Sequence, residues 1–181
     1  LIDAKGGYSR LFEMKKNEGR IKKNEYVSFD YEKNLARYEQ RGPGAFKPRT
    51  RKNVRINGPV QDPLSCLYYL RSVEQLVPGA TVKMPVHTAR RSWTLRVKVL
   101  KREEIDIPNF GKVRALRLEP EMMFPGIFVR KGRMSVWVDE KTRIPVLMHV
   151  DIPIGSVVAT LVDAEKTTLK PVTAEKKAEK E

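Results

Sequence analysis

The sequence predicts a mainly β fold of the α+β class: a strongly curved antiparallel sheet, or half-barrel meander, with one helix packed on it. Three observations carry this. Apolar and polar residues alternate at the two-residue period of strands through most of the second half. Turn residues recur about every ten positions there. Only one segment has both a helix start and a helix stop.

Tyr8, Arg10, Phe12 and Met14 fall on one side of an alternating run, and Val27, Phe29 and Tyr31 on one side of the next. Asn17-Glu18-Gly19 between them reads as a turn, so the two runs predict a hairpin. Residues 41–60 read as a long basic loop. They combine Arg41-Gly42-Pro43-Gly44, Lys47-Pro48-Arg49, Arg51-Lys52 and Asn57-Gly58-Pro59, with at most a short extended piece at Val54–Ile56. Asp62 then offers a helix N-cap and Pro63 suits the first helical position. Leu64, Leu67, Tyr68 and Arg71 keep helical spacing and Pro78-Gly79 stops it, which predicts a helix over 63–75.

Beyond residue 80 strands follow. Trp93, Leu95, Val97 and Val99 alternate with Thr94, Arg96 and Lys98. Pro108-Asn109-Phe110-Gly111 turns the chain into a strand over 113–119. Ile127–Val129 and Met134–Val138 flank the Arg130-Lys131-Gly132-Arg133 turn, and strands over 144–150 and 156–162 complete the set. Residues 1–163 are therefore expected to form a single β-rich domain. Residues 164–181 lack apolar pattern and are expected to be a disordered charged tail.

The 181 residues carry 36 Lys and Arg against 22 Asp and Glu, a net charge of +14. The excess lies mostly in residues 1–60, with 15 basic and 7 acidic side chains. Such a surface attracts polyanions or anionic headgroups without choosing among them. No apolar run approaches the roughly 20 residues of a membrane helix. Charges crowd the first twenty positions and leave no signal-peptide core. The chain opens on Leu1 rather than Met, so a processed or truncated piece is expected.

The chemistry-bearing residues are few. Cys66 is the single cysteine, so no intramolecular disulfide and no cysteine zinc site can form. It lies in the apolar run of the helix, where a thiol behaves as a small hydrophobe. His87 and His149 are the two histidines and lie 62 positions apart. No phosphate loop, dinucleotide fingerprint or nucleophile elbow is present. The carboxylates, including Glu119 and Glu121, read as turn and edge charges. No enzyme, cofactor or metal is expected.

What remains is binding. Met122, Met123, Phe124 and Phe128 form a dense apolar patch, and Trp93 and Trp137 could floor the same cavity, since methionine adapts to varied apolar ligands. Arg90, Arg91, Arg130 and Arg133 sit in the turns beside it and are expected to contact an anionic headgroup. An amphipathic ligand such as a lipid is therefore the first expectation. A scaffold docking to partners through Arg49, Arg51, Lys52 and Arg55 is the second. Nucleic-acid binding is the third and weakest, because the basic loop holds only Phe46 as a stacking aromatic.

Three stretches carry a family resemblance. Asp62-Pro63-Leu64-Ser65-Cys66-Leu67-Tyr68-Tyr69-Leu70-Arg71 resembles a D-P-L-S-x-L-Y-Y-L-R helix. Gly132-Arg133-Met134-Ser135-Val136-Trp137-Val138-Asp139, followed by Arg143-Ile144-Pro145-Val146, resembles a hairpin ending W-hydrophobic-x-D and R-x-P-V. Ile154-Gly155-Ser156-Val157 to Leu161-Val162 resembles a closing G-S strand. In this order, over about residues 8–163, the chain is similar to the bacterial envelope family called domain of unknown function 3108. The resemblance implies a protein exported to the periplasm or envelope of a Gram-negative bacterium, with no established activity. It also implies a curved sheet akin to periplasmic lipoprotein carriers. Against that family the chain is expected to lack the usual signal peptide and opening strands, and its segment at 41–60 is more basic.

Overall fold

A computed structural model describes residues 1–18, 21–42, 47–121, 134–152 and 154–164. It is mainly β, with antiparallel strands in two sheets that do not close into a barrel and one helix packed on them. The structure has two sheets where one curved sheet was expected, and the first contains two strands, over 35–41 and 50–55, at positions that carry little apolar signal. Two compact units share the chain: residues 1–72 with 83–95, and 73–82 with 96–181.

Unit 1 holds a four-stranded sheet in the order β1-β2-β3-β4. These strands are β1 (Leu11–Glu18), β2 (Ile21–Asp30), β3 (Leu35–Arg41) and β4 (Thr50–Arg55). β1 and β2 form the expected hairpin, with Phe12 opposite Val27, but Asn17 and Glu18, expected in the turn, still pair within the strands, Glu18 opposite Ile21. β4 replaces part of the expected loop, and β3 ends where that loop was expected to begin. Tyr38 lies opposite Val27 on one side and Lys52 on the other, and Ala36 lies opposite Phe29 and Val54. Every second residue therefore shares the face of Val27. That face builds a core of Val27, Phe29, Ala36, Tyr38, Ile56 and Val60, with Phe12, Tyr31 and Val54 against it.

The helix α1 (Ser65–Ser72) starts as its sequence dictates. Asp62 Oδ1 accepts hydrogen bonds from the Leu64 and Ser65 N–H groups at 2.7 and 2.9 Å. The Asp62 N–H donates back to Ser65 Oγ at 2.8 Å, so three backbone donors are satisfied by the reciprocal Asp62–Ser65 pair. The helix turns Ser65, Cys66 and Leu70 inward.

The second sheet runs β10-β9-β8-β7-β6-β5. Its strands are β5 (Thr81–Thr88), β6 (Arg91–Ile107), β7 (Gly111–Glu121), β8 (Met134–Asp139), β9 (Pro145–Ile152) and β10 (Gly155–Thr160). β5 keeps Pro85 because it is an edge strand of this sheet. β6 carries a register shift between Val99 and Lys101. In unit 2, Ile107, Val113, Ala115 and Val146 form a core with Ile105, Phe110, Trp137, Leu147 and Leu161 packed on it. The expected strand at Ile127–Val129, its turn at 130–133 and the charged tail from 165 lie outside the described residues.

Candidate functional site: an apolar pocket on the first sheet

The two-residue period that builds the first core also builds a cavity. Phe12 and Met14 of β1, Glu25, Val27 and Phe29 of β2, and Tyr38 of β3 all project from one face. Pro63, His87, Thr88 and Ala89 complete a pocket of about 220 Å³. Most of its wall is hydrocarbon and aromatic ring. Glu25 supplies a carboxyl group and is met by Gln40 Nε2 at 3.2 Å.

His87 is the chemical centre of this wall. It is 2% exposed. Its ring packs edge-on to Phe29 and tilted to Tyr38, both at 5.8 Å between centroids. Nδ1 lies 2.8 Å from Ser92 Oγ, and Nε2 is buried without a hydrogen-bond partner. Burial pushes its pKa below the usual 6.5, so the imidazole is neutral at physiological pH. The His87–Ser92 contact has the length of a base–nucleophile pair. Yet no carboxylate holds the other ring nitrogen, and such a pair needs that third group to orient the base.

The pocket's rim is strained. β5 and β6 are joined by Ala89 and Arg90, with φ of 50° and 63°. Two consecutive left-handed residues make a type I′ hairpin turn, which normally takes Asn-Gly. Side chains there cost about 1–2 kcal/mol each. The Arg90 N–H donates to Tyr38 Oη at 3.2 Å, and its guanidinium sits 5.8 Å from the Tyr38 ring centre. Burial raises the Tyr38 pKa to about 12, so it stays a neutral phenol.

The residues expected to form a ligand site are not gathered here. Trp93 belongs to unit 1 and Trp137 to unit 2, and neither lines this pocket. Met122, Met123, Phe124, Phe128, Arg130 and Arg133 lie outside the described residues. Arg90, expected beside the Met122–Phe128 patch, follows the pocket residue Ala89 in the β5–β6 turn, and Arg91 beside it is exposed. Sequence reasoning missed Phe12, Met14, Glu25 and Tyr38 as a set. The missing signal was the register of β1, β2 and β3.

The expected docking cations are exposed, but strand alternation divides them. Arg51 and Arg55 share one face of β4, and Lys52 shares the face of Tyr38. Arg49 precedes the strand, with its guanidinium against Gly42.

The motif residues behind the resemblance hold structure together. Asp139 Oδ1 accepts from the Lys141 and Thr142 N–H groups and from Thr142 Oγ1, at 3.1, 2.6 and 2.7 Å. The Arg143 guanidinium donates to the carbonyls of Val73 and Glu74. Trp137 Nε1 donates to Glu103 Oε1 at 2.6 Å, with Arg117 5.2 Å over its ring. Burial opposes ionisation of Glu103, but Lys101 at 2.6 Å and the Trp137 N–H hold its carboxyl below the usual range. Cys66 bonds the Asp62 carbonyl, and burial raises its thiol to about 12, which leaves it inert. Among the described residues no cluster of His, Cys, Asp and Glu could hold a metal ion, and no helix is long and apolar enough to cross a membrane.

No curated protein matches the chain, and no solved structure does. The family described as Protein of unknown function (DUF3108) matches residues 1–162. That span covers every described strand, so the chain belongs to the DUF3108 family.

Proposed function

We propose that this protein binds the apolar end of an amphipathic molecule, such as a lipid, in the pocket of unit 1, and acts as a binding protein rather than an enzyme. The observation that carries this reading is the pocket: an apolar cavity of about 220 Å³ on a sheet face, walled by Phe12, Met14, Val27 and Phe29. Drug-sized ligands occupy roughly 300–1,000 Å³. The pocket therefore suits a short apolar group, such as one end of an acyl chain, with the rest of the molecule outside. Arg90 and Arg91 at the rim are the cations to meet an anionic headgroup. His87 Nε2 gives the wall one polar atom still lacking a partner, which a ligand hydroxyl or a water would satisfy. An envelope location, where such ligands abound, belongs to the same proposal.

Titration with a fluorescent fatty acid tests it. The protein should take up one equivalent saturably. Met14→Asp, at the partly exposed end of the pocket, should weaken uptake about tenfold by placing a carboxylate against hydrocarbon. Absence of uptake, or equal uptake by Met14→Asp, contradicts the reading.

A further inference from the structure

We propose that β4 is a docking edge for an extended acidic peptide segment of a partner protein, which pairs with it as a fifth strand of the first sheet. This stands independently of the pocket.

β4 ends the order β1-β2-β3-β4, so among the described residues one side of it has no strand neighbour. The Ile56 N–H donates to the Asn34 carbonyl, and Asn34 and Ile56 continue the register of Ala36 with Val54. Antiparallel alternation then directs the backbone groups of the even-numbered residues to β3. Those of Arg51, Asn53 and Arg55 point outward in the plane of the sheet. All of β4 except Val54 is exposed.

The charge on this edge selects the occupant. From Lys47 to Val60 there is no acidic residue, and Lys47, Arg49, Arg51, Lys52 and Arg55 are basic. Arg51 reaches Glu39 at 3.3 Å while its side chain stays 73% exposed. A second copy of β4 would bring like charges face to face, which disfavours self-pairing. An acidic strand would meet both the cations and the unpaired N–H and C=O groups. A nucleic acid or sulfated polysaccharide would meet the cations but could not continue the ladder, and β4 offers no aromatic for base stacking.

The test uses the full chain and a short labelled peptide alternating glutamate with valine, followed by fluorescence anisotropy. One control peptide carries N-methyl groups on alternate backbone nitrogens and keeps its charge. A single-stranded oligonucleotide serves as the polyanion probe. Asn53→Pro removes only an outward-facing donor, so it should spare the β3 ladder and block pairing. The peptide should bind saturably. Methylation of the peptide and Asn53→Pro should each weaken it about tenfold or more, as lost backbone pairing requires. Arg51→Glu with Arg55→Glu should abolish binding. Equal binding of the methylated and plain peptides overturns the proposal, and needs no folded variant to be read. A peptide that fails to bind where the oligonucleotide binds tightly overturns it too, and makes the edge a polyanion surface.

Discussion

The two units differ in how their polar side chains find partners. In unit 2, Asp139, Trp137, Glu103, Ser135 and Arg143 all have defined partners. In unit 1, Ser9 Oγ, Gln61 Oε1 and His87 Nε2 are buried without any. A buried polar atom left unpaired costs about 1–3 kcal/mol, so among the described residues unit 1 carries a standing penalty that unit 2 does not. Satisfied networks fix a fold, whereas His87 Nε2, unpaired in the wall of a cavity, marks a place that a ligand atom or a water could fill. On the proposed reading, unit 2 serves architecture and unit 1 serves binding.

The strongest way to break that assignment is to open the unit 2 network. Asp139→Ala removes three hydrogen bonds to a buried carboxyl group and should cost about 2–3 kcal/mol. Urea unfolding should show a lower midpoint at unchanged slope, with ligand uptake retained once the protein is folded. Loss of uptake without loss of stability would move the binding role to unit 2. Trp137→Phe deletes one donor to Glu103 and should cost about 1 kcal/mol by the same measurement.

His87→Phe sharpens the contrast from the other side. It removes an unsatisfied atom and leaves Ser92 in water, so stability should change by less than about 1 kcal/mol. Its pH dependence should change more. The pKa of His87 is depressed in the folded protein, so protons bind the unfolded chain first. Stability is therefore unaffected well above the unfolded value near 6.5 and falls as pH drops below it. Thermal melts from pH 7.5 to 5 should show a smaller fall in Tm for His87→Phe than for wild type. Parallel curves would mean that His87 is solvated and the pocket wall is wet. The smallest effect is expected at Cys66. Its thiol should resist iodoacetamide at pH 8 in the folded protein and react on unfolding, because it is buried and raised to about 12.

Legibility in the sequence followed the same division. The hairpin of β1 and β2, the capped helix after Asp62 and the strands from Trp93 onward were readable, because alternation or capping marks them locally. β3 was not: only Ala36 and Tyr38 face its core, and charged residues hide the period. β4 reads as a loop because Thr50-Arg51-Lys52-Asn53-Val54-Arg55 buries neither face. An edge strand needs no apolar alternation, so composition cannot reveal it. The motifs that carried the family resemblance fell largely where side chains lock turns, at Asp139 and Arg143. They are legible for architecture and silent about ligand. The pocket depends on register across three strands, and register is a long-range property that no local window contains.

Methionine methyl NMR tests the central claim most directly, because methionines mark both units. Met14 lines the pocket, Met134 and Met148 lie in β8 and β9, and Met122 and Met123 belong to the patch first singled out in the sequence. On titration of the labelled protein with a medium-chain fatty acid, the account predicts saturable movement of the Met14 methyl and still signals from Met134 and Met148. Movement confined to Met122, Met123, Met134 or Met148, with Met14 unchanged, would contradict it.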